Sequence, residues 1–211
     1  MLQRSGLTFL ASAAVLLMAG ASFADGNKLF ITQDSSLAGA VGNTLFVDQS
    51  RADGSIVSGA LGSTSTSATQ TGPGNAADIR ISGSQGQVAL NQTSSVYLPQ
   101  NGNSANVDLG GLLATGVITQ TGISNSGGIT VDGLRASGLL EQTGNGNVGS
   151  VEVSGTDAFG RLVQTGNNNN TGLVVTGANT NVTLTQTGSN ITAAPTVASN
   201  GGTVIINQFS N

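Results

Sequence analysis

Side chains able to do chemistry are few in this sequence, and their spacing narrows what they can do. Among 211 residues there is no His and no Cys, which removes the commonest general base and metal ligand, thiolate nucleophiles and any disulfide framework. Carboxylates remain, and Asp132, Glu141, Glu152 and Asp157 are the candidates for the acid and base that polysaccharide-cleaving β-helix enzymes require. Their scatter fits better with outward charges that restrain lateral association of sheets. Gly144-x-Gly146-x-x-Gly149 matches the dinucleotide-binding pattern in letters, but that mechanism needs a strand running into a helix start, whereas here the glycines read as a turn. Calcium-binding Gly/Asp repeats need Asp where the equivalent turns carry Asn. Neither a cofactor nor a metal is expected. Thr-Gln-Thr triplets at 69–71, 119–121 and 185–187 place two hydroxyls on one strand face, as an ice-binding or surface-binding plate would, yet Asn91, Glu141 and Val163 interrupt one column.

The polar side chain with long-range order is Gln. Gln70, Gln92, Gln120, Gln142, Gln164, Gln186 and Gln208 are spaced 22, 28, 22, 22, 22 and 22 residues apart, and self-similarity at a fixed period is the signature of a repeat architecture. An insertion of six residues within Ser94 to Gly102, read as a surface loop, accounts for the exception. Five of the seven glutamines open Gln-Thr-Gly, and Asn follows five residues on at Asn75, Asn125, Asn147 and Asn169, and at Asn103 once the insertion is allowed for. In the next repeat it arrives one position early, at Asn190.

These residues need strands to position them. Two residues before each Gln stands an apolar side chain, from Ala68 and Leu90 through Ile118 to Leu140, Leu162, Leu184 and Ile206, the period-2 spacing of one strand face. A second apolar pair falls nine and eleven residues after the Gln: Ile79 and Ile81, Ile129 and Val131, Val151 and Val153, Leu173 and Val175, with Pro195 and Val197 weaker. Each repeat therefore reads as strand, turn, strand, turn. A single repeat cannot bury its inner face, but stacked coils can, each strand pairing with its equivalent about 4.8 Å away. The predicted fold is all-β: a two-sheet β-solenoid of parallel, in-register strand-turn-strand coils, amyloid-like in its stacking. Inward glutamines would bond one another along the axis. The asparagines are expected in the turns, accepting left-handed backbone and bonding their own main chain.

Composition agrees with this architecture. Charged residues make up 8% and aromatics 3%, with 32 Gly, too little bulk for an enzyme core and too little charge for a typical disordered chain. A formal charge of −4 without a basic run argues against nucleic acid as a partner. Residues 1–24 read as a signal peptide, with Arg4, the apolar stretch Leu7 to Met18, and small residues before a cut ahead of Asp25. That stretch is too short to span a bilayer and nothing later is apolar enough, so export without membrane insertion is expected. Residues 25–62 are read as an irregular N-terminal cap with imperfect coils, in which Leu29 to Gln33 and Leu45 to Gln49 repeat a strand-plus-Gln motif; residues 63–211 are read as the regular solenoid.

The repeat resembles that of the curlin family, subunits of bacterial curli fibres, described by Ser-x5-Gln-x-Gly-x-x-Asn-x-Ala-x3-Gln. Gln70-Thr71-Gly72-Pro73-Gly74-Asn75-Ala76-Ala77 carries its centre, and Gln120-Gly122-Asn125, Gln142-Gly144-Asn147 and Gln164-Gly166-Asn169 carry the Gln, Gly and Asn. The family's second inward Gln is replaced by Ile81, Val131, Val153, Val175 and Val197, and its leading Ser is not kept. The resemblance implies a non-enzymatic subunit exported through the inner membrane. A periplasmic chaperone and an outer-membrane pore would then pass it unfolded to the cell surface. There it would polymerise with itself and a nucleating companion into a fibre, or pilus, for adhesion and biofilm matrix. Both the elongating and the nucleating role are compatible with it. The last coil, Val204 to Phe209, has no charged or proline-bearing cap before Asn211 and reads as an open strand edge. The main alternative is a monomeric secreted β-solenoid adhesin or surface-binding protein.

Overall fold

Residues 14–18, 26–35, 41–94 and 102–210 are described by the computed structural model, 14–18 as backbone only. Residues 95–101, the interior of the Ser94 to Gly102 segment expected to hold the six-residue insertion, lie outside the described residues, as does most of the expected signal peptide.

Strands, numbered in chain order, stack parallel into two facing sheets, nine-stranded and ten-stranded among the described residues. The first, sheet A, runs β1 (Ala14–Met18), β4 (Thr44–Asp48), β7 (Ala76–Ile81), β9 (Ser104–Leu109), β11 (Ser126–Val131), β13 (Val148–Val153), β15 (Asn170–Val175), then β17 (Thr192–Ala193) and β18 (Thr196–Val197), which both pair with β15. The second, sheet B, holds β2 (Lys28–Leu29), β3 (Ile31–Asp34), β5 (Ile56–Ser58), β6 (Ala68–Thr71), β8 (Gln87–Thr93), β10 (Thr115–Thr121), β12 (Ser137–Thr143), β14 (Phe159–Thr165), β16 (Thr180–Thr187) and β19 (Gly202–Phe209). From β7 to β16 successive strands alternate between the sheets, so each coil gives one strand to each. Pairing is in register at the 22-residue offset, for example Leu140↔Leu162 and Gln142↔Gln164. The chain is thus the two-sheet β-solenoid that its periodicity predicts.

The core consists of matched columns. Leu90, Ile118, Leu140, Leu162 and Leu184 from sheet B, and Ile79, Val107, Ile129, Val151 and Leu173 from sheet A, are buried in one cluster. Val153 and Val175 are buried with them, and Ile206 in β19 is partly buried against the cluster. Flanking columns interlock large against small. A Cβ on Gly138 would come within 2.8 Å of Ile129 Cγ2, and one on Gly127 within 2.7 Å of Leu140 Cδ2 and 3.0 Å of Gln120 Nε2. Interiors packed this closely have no slack for an added methyl, so these glycines are spacers that let the sheets close on the bulky columns and on the glutamines.

The strands of residues 26–35 and 41–58 belong to the same stack. β3 pairs with β6 so that Gln33 meets Gln70, whereas Leu45, Val47 and Gln49 follow β4 into sheet A. Gln33 therefore continues the glutamine column and Gln49 does not, although both end a similar apolar motif. Between β5 and β6 the chain leaves the sheet at 59–67 and returns to pair the second half of β8. This excursion, with that at 49–55, is why the period is lost in the sequence.

One corner recurs as a left-handed residue every 22 positions at Leu113, Arg135, Asp157 and Asn179. For Leu this conformation costs on the order of 1–2 kcal/mol, because Cβ crowds the following carbonyl, while Asn tolerates it. Leu113→Asn, which keeps the backbone bond from Leu113 N–H to Ser84 C=O at 3.0 Å, is expected to raise the unfolding free energy by about 1 kcal/mol. A denaturant melt that moves the other way would overturn this assignment of strain.

Candidate functional site

The glutamines form a continuous amide ladder inside the solenoid. Nε2 of Gln70 donates to Oε1 of Gln92, and so on through Gln120, Gln142, Gln164, Gln186 and Gln208, at 2.8–3.1 Å. Gln33 joins at the N-terminal end by donating to Gln70 Oε1. From Gln70 to Gln164 each amide spends its second N–H on a sheet A carbonyl, as Gln120 does on Ser104 at 2.8 Å, Gln142 on Ser126 at 3.1 Å and Gln164 on Val148 at 3.0 Å. The ladder thus ties coil to coil along the axis and sheet to sheet across it, and from Gln70 to Gln186 it is wholly buried. A buried amide is tolerable when each donor is satisfied, and the ladder meets that requirement from Gln70 to Gln164. Because every Nε2 points towards the C-terminal end, the column has a direction.

Asparagines form a second ladder that sequence reasoning placed in the turns only. Asn75, Asn103, Asn125, Asn147 and Asn169 are buried and face inward. The left-handed residue is the one before: Gly74, Ser124, Gly146 and Asn168. Expected bonds to the own main chain exist, such as Asn75 Nδ2 to Thr71 C=O at 3.0 Å. Stronger ties run to the next coil: Asn125 Nδ2 donates to Gly144 C=O at 2.8 Å, and Asn125 Oδ1 accepts from Asn147 N–H at 3.0 Å. The apex must turn left-handed to reverse the chain, while the following residue points into a dry corner where backbone groups need partners; an amide, with two donors and an acceptor, supplies them. Asn43 heads this column, accepting from Asn75 N–H at 2.9 Å, and was missed because its spacing to Asn75 breaks the period. Asn190 takes the left-handed apex position, leaving Ile191 in the buried column.

The carboxylates do not converge. Glu141 lies on the outer face of sheet B, ion-paired to Arg161 at 2.8 Å, and Glu152 on the outer face of sheet A. Asp157 pairs with Arg135 of the previous coil, and the guanidinium's hydrogen bond holds its carboxyl below the usual range. Gly144 and Gly146 lie in the turn from β12 to β13 and Gly149 in β13 itself, with no helix to follow. An open cleft of about 330 Å³ on sheet A is lined by Asp48, Ser50, Arg51, Arg80 and Asp108; hydrogen bonds from Ser50 lower the Asp48 pKa, and Arg80 pairs with Asp78 at 2.9 Å.

On the outer face of sheet B the column Thr69, Asn91, Thr119, Glu141, Val163, Thr185 is interrupted as its sequence indicates. Its neighbour is not: Thr71, Thr93, Thr121, Thr143, Thr165 and Thr187 stack without a break and lead to Phe209.

The remaining candidate is the pair of solenoid ends. Among the described residues β19 pairs on one side only, with β16, and carries Ile205 at 68% and Phe209 at 76% exposure. At the other end β2 and β3 are the outermost strands of sheet B. Between Gly166 and Asn211 no residue is charged. Unpaired, apolar, uncharged strand edges are templates for further strands. No protein-family model, curated protein or solved structure matches the chain.

Proposed function

We propose that this chain is a non-enzymatic structural subunit of the curlin type, exported and polymerised on the cell surface into a curli-like amyloid fibre for adhesion and biofilm matrix. The observation that carries the reading is the edge strand β19, whose exposed Ile205 and Phe209 end a parallel, in-register stack without charge or proline. Self-templating is the physical default for such an edge, since a new coil would meet the same backbone pattern and the same apolar and amide columns that every internal coil meets. The proposed partners are further copies of the chain and a nucleating companion, with a periplasmic chaperone and an outer-membrane pore on the export route; nucleic acid, membrane insertion and a cofactor have no part in it. The expected result for the exported chain is thioflavin fluorescence with a lag that preformed seeds abolish, and fibres diffracting at about 4.7–4.8 Å along the axis. A soluble β-rich monomer that seeds do not convert would overturn it.

A second reading is favoured by the unbroken threonine column. A monomeric solenoid could present these hydroxyls, at the strand spacing of about 4.8 Å, to a regular surface, and it would be the reading left standing by an unseedable monomer.

A further inference from the structure

We infer from the directional amide ladder that copies of this chain join in one polarity and one register, β19 of one copy lying parallel on β2 and β3 of the next, so that Gln208 donates to Gln33 of the neighbour. This rests on the fibre reading proposed above and specifies its joint. The ladder is the first observation. Its N-terminal member, Gln33, has a buried Oε1 with no hydrogen-bond partner, in the position where every later glutamine accepts from the coil before it. Its C-terminal member, Gln208, accepts from Gln186 at 2.8 Å, and among the described residues no strand lies on the far side of β19 to receive its own N–H. An orphaned buried acceptor at one end and an onward-pointing donor at the other are complementary only head to tail; two like ends would set donor against donor or acceptor against acceptor.

The columns around the ladder are the second observation. Extending the internal register by one strand brings Val204 onto Leu29, Ile206 onto Ile31, Asn207 onto Thr32 and Gln208 onto Gln33. On the outer face the exposed Ile205 lands on Phe30. Val204 on Leu29, Ile206 on Ile31 and Ile205 on Phe30 are apolar on apolar and Gln208 on Gln33 is amide on amide, the matches seen inside the solenoid; Asn207 on Thr32 is a polar pair of the outer face, where the same register also sets Thr203 on Lys28 and Phe209 on Asp34. Antiparallel or shifted pairing would put Gln208 against an apolar column and strand its amide in a dry core. Residues 28–34 and 202–209 supply the whole sheet B joint, so it survives removal of residues 1–24. In sheet A the place between β17–β18 of one copy and β4 of the next is the place that β1 takes.

Cross-linking tests the register, because the chain has no Cys and parallel neighbours about 4.8 Å apart fall within disulfide reach. Thr32 and Asn207 face outward and lie roughly 34 Å apart within one copy, seven strand spacings, so they cannot bridge internally. Oxidised fibres of the exported full chain carrying Thr32→Cys and Asn207→Cys are expected to run as a ladder of multimers on a denaturing gel, with neither single variant passing dimer. Phe30→Cys with Ile205→Cys, one column over, reads the same joint if the first pair impairs folding. Fibres from both double variants without multimers beyond the single variants would overturn the joint and leave polymerisation standing. Dimers of Asn207→Cys alone at the yield of the double variant would overturn it in favour of like ends meeting. Failure of the unsubstituted chain to form fibres would overturn polymerisation itself, and the joint with it.

Discussion

Leu140→Asp, Leu162→Asp and Val153→Asp combined in one chain are expected to abolish both the β-type circular dichroism of the soluble protein and seeded fibre growth. All three side chains are fully buried in the apolar columns. Burying an unpaired carboxylate costs several kcal/mol, and losing the apolar volume adds a further few. Typical domain stability is about 5–15 kcal/mol, so the combination exceeds it, and Leu140→Asp alone consumes a large share. Stacking makes the effect worse in a fibre, since every copy repeats the charge within the same dry columns. Leu140→Met, which conserves volume, is expected to cost less than about 1.5 kcal/mol and to leave growth intact. Seeded growth of the triple Asp variant at the unsubstituted rate would mean that these columns do not face a dry interior.

Gln142→Glu is expected to block assembly at neutral pH and to release it in acid. Gln142 Nε2 donates to Gln164 Oε1 at 2.9 Å and to Ser126 C=O at 3.1 Å, while Oε1 accepts from Gln120 at 2.8 Å. A carboxylate keeps the accepted bond, loses both donated ones and faces two oxygens instead. The cost is several kcal/mol, from an unpaired buried charge and two orphaned acceptors. Burial and the opposing oxygens raise the folded-state pKa of the new acid above its unfolded value of about 4.3. The sign follows: below the unfolded pKa both states are protonated and the penalty is smallest; between the two values the unfolded state releases its proton first and stability falls; above the folded pKa the full penalty applies. Growth of this variant is therefore expected near pH 4 and not at pH 7, while Gln142→Leu is expected to grow weakly and without that pH dependence. Equal growth of the Glu variant at both pH values would mean that the ladder is hydrated.

Much of the fold could be read before any coordinates, for a reason visible in particular residues. Gln120, Gln142 and Gln164 each sit in the environment of the one before, so identical demands recur every 22 residues, and apolar neighbours two positions away mark which face is inward. Where the environment was not repeated, the pattern failed. Gln49 and Gln33 end the same short motif, yet β4 pairs with β7 in sheet A and β3 with β6 in sheet B, so that only Gln33 joins the ladder. The asparagines were recognised as periodic, but a polar residue beside glycines reads as an exposed turn; its burial appears only when the next coil lies over it. Gly149 reads as part of a turn in the sequence, and only the facing sheet shows what a Cβ there, or at Gly127 and Gly138, would strike.

By itself the sequence determined the period, the columns and the all-β class, because in-register stacking makes each residue's closest strand neighbour its own counterpart one repeat away. Only the tertiary structure decided which sheet the irregular N-terminal strands join, which glycines are spacers, that the asparagines form a buried ladder, and that the glutamine amides all point one way. Those properties depend on contacts across the gap between the sheets and on the orientation of amide groups, and neither distance nor direction across that gap is written in the spacing of residues along the chain.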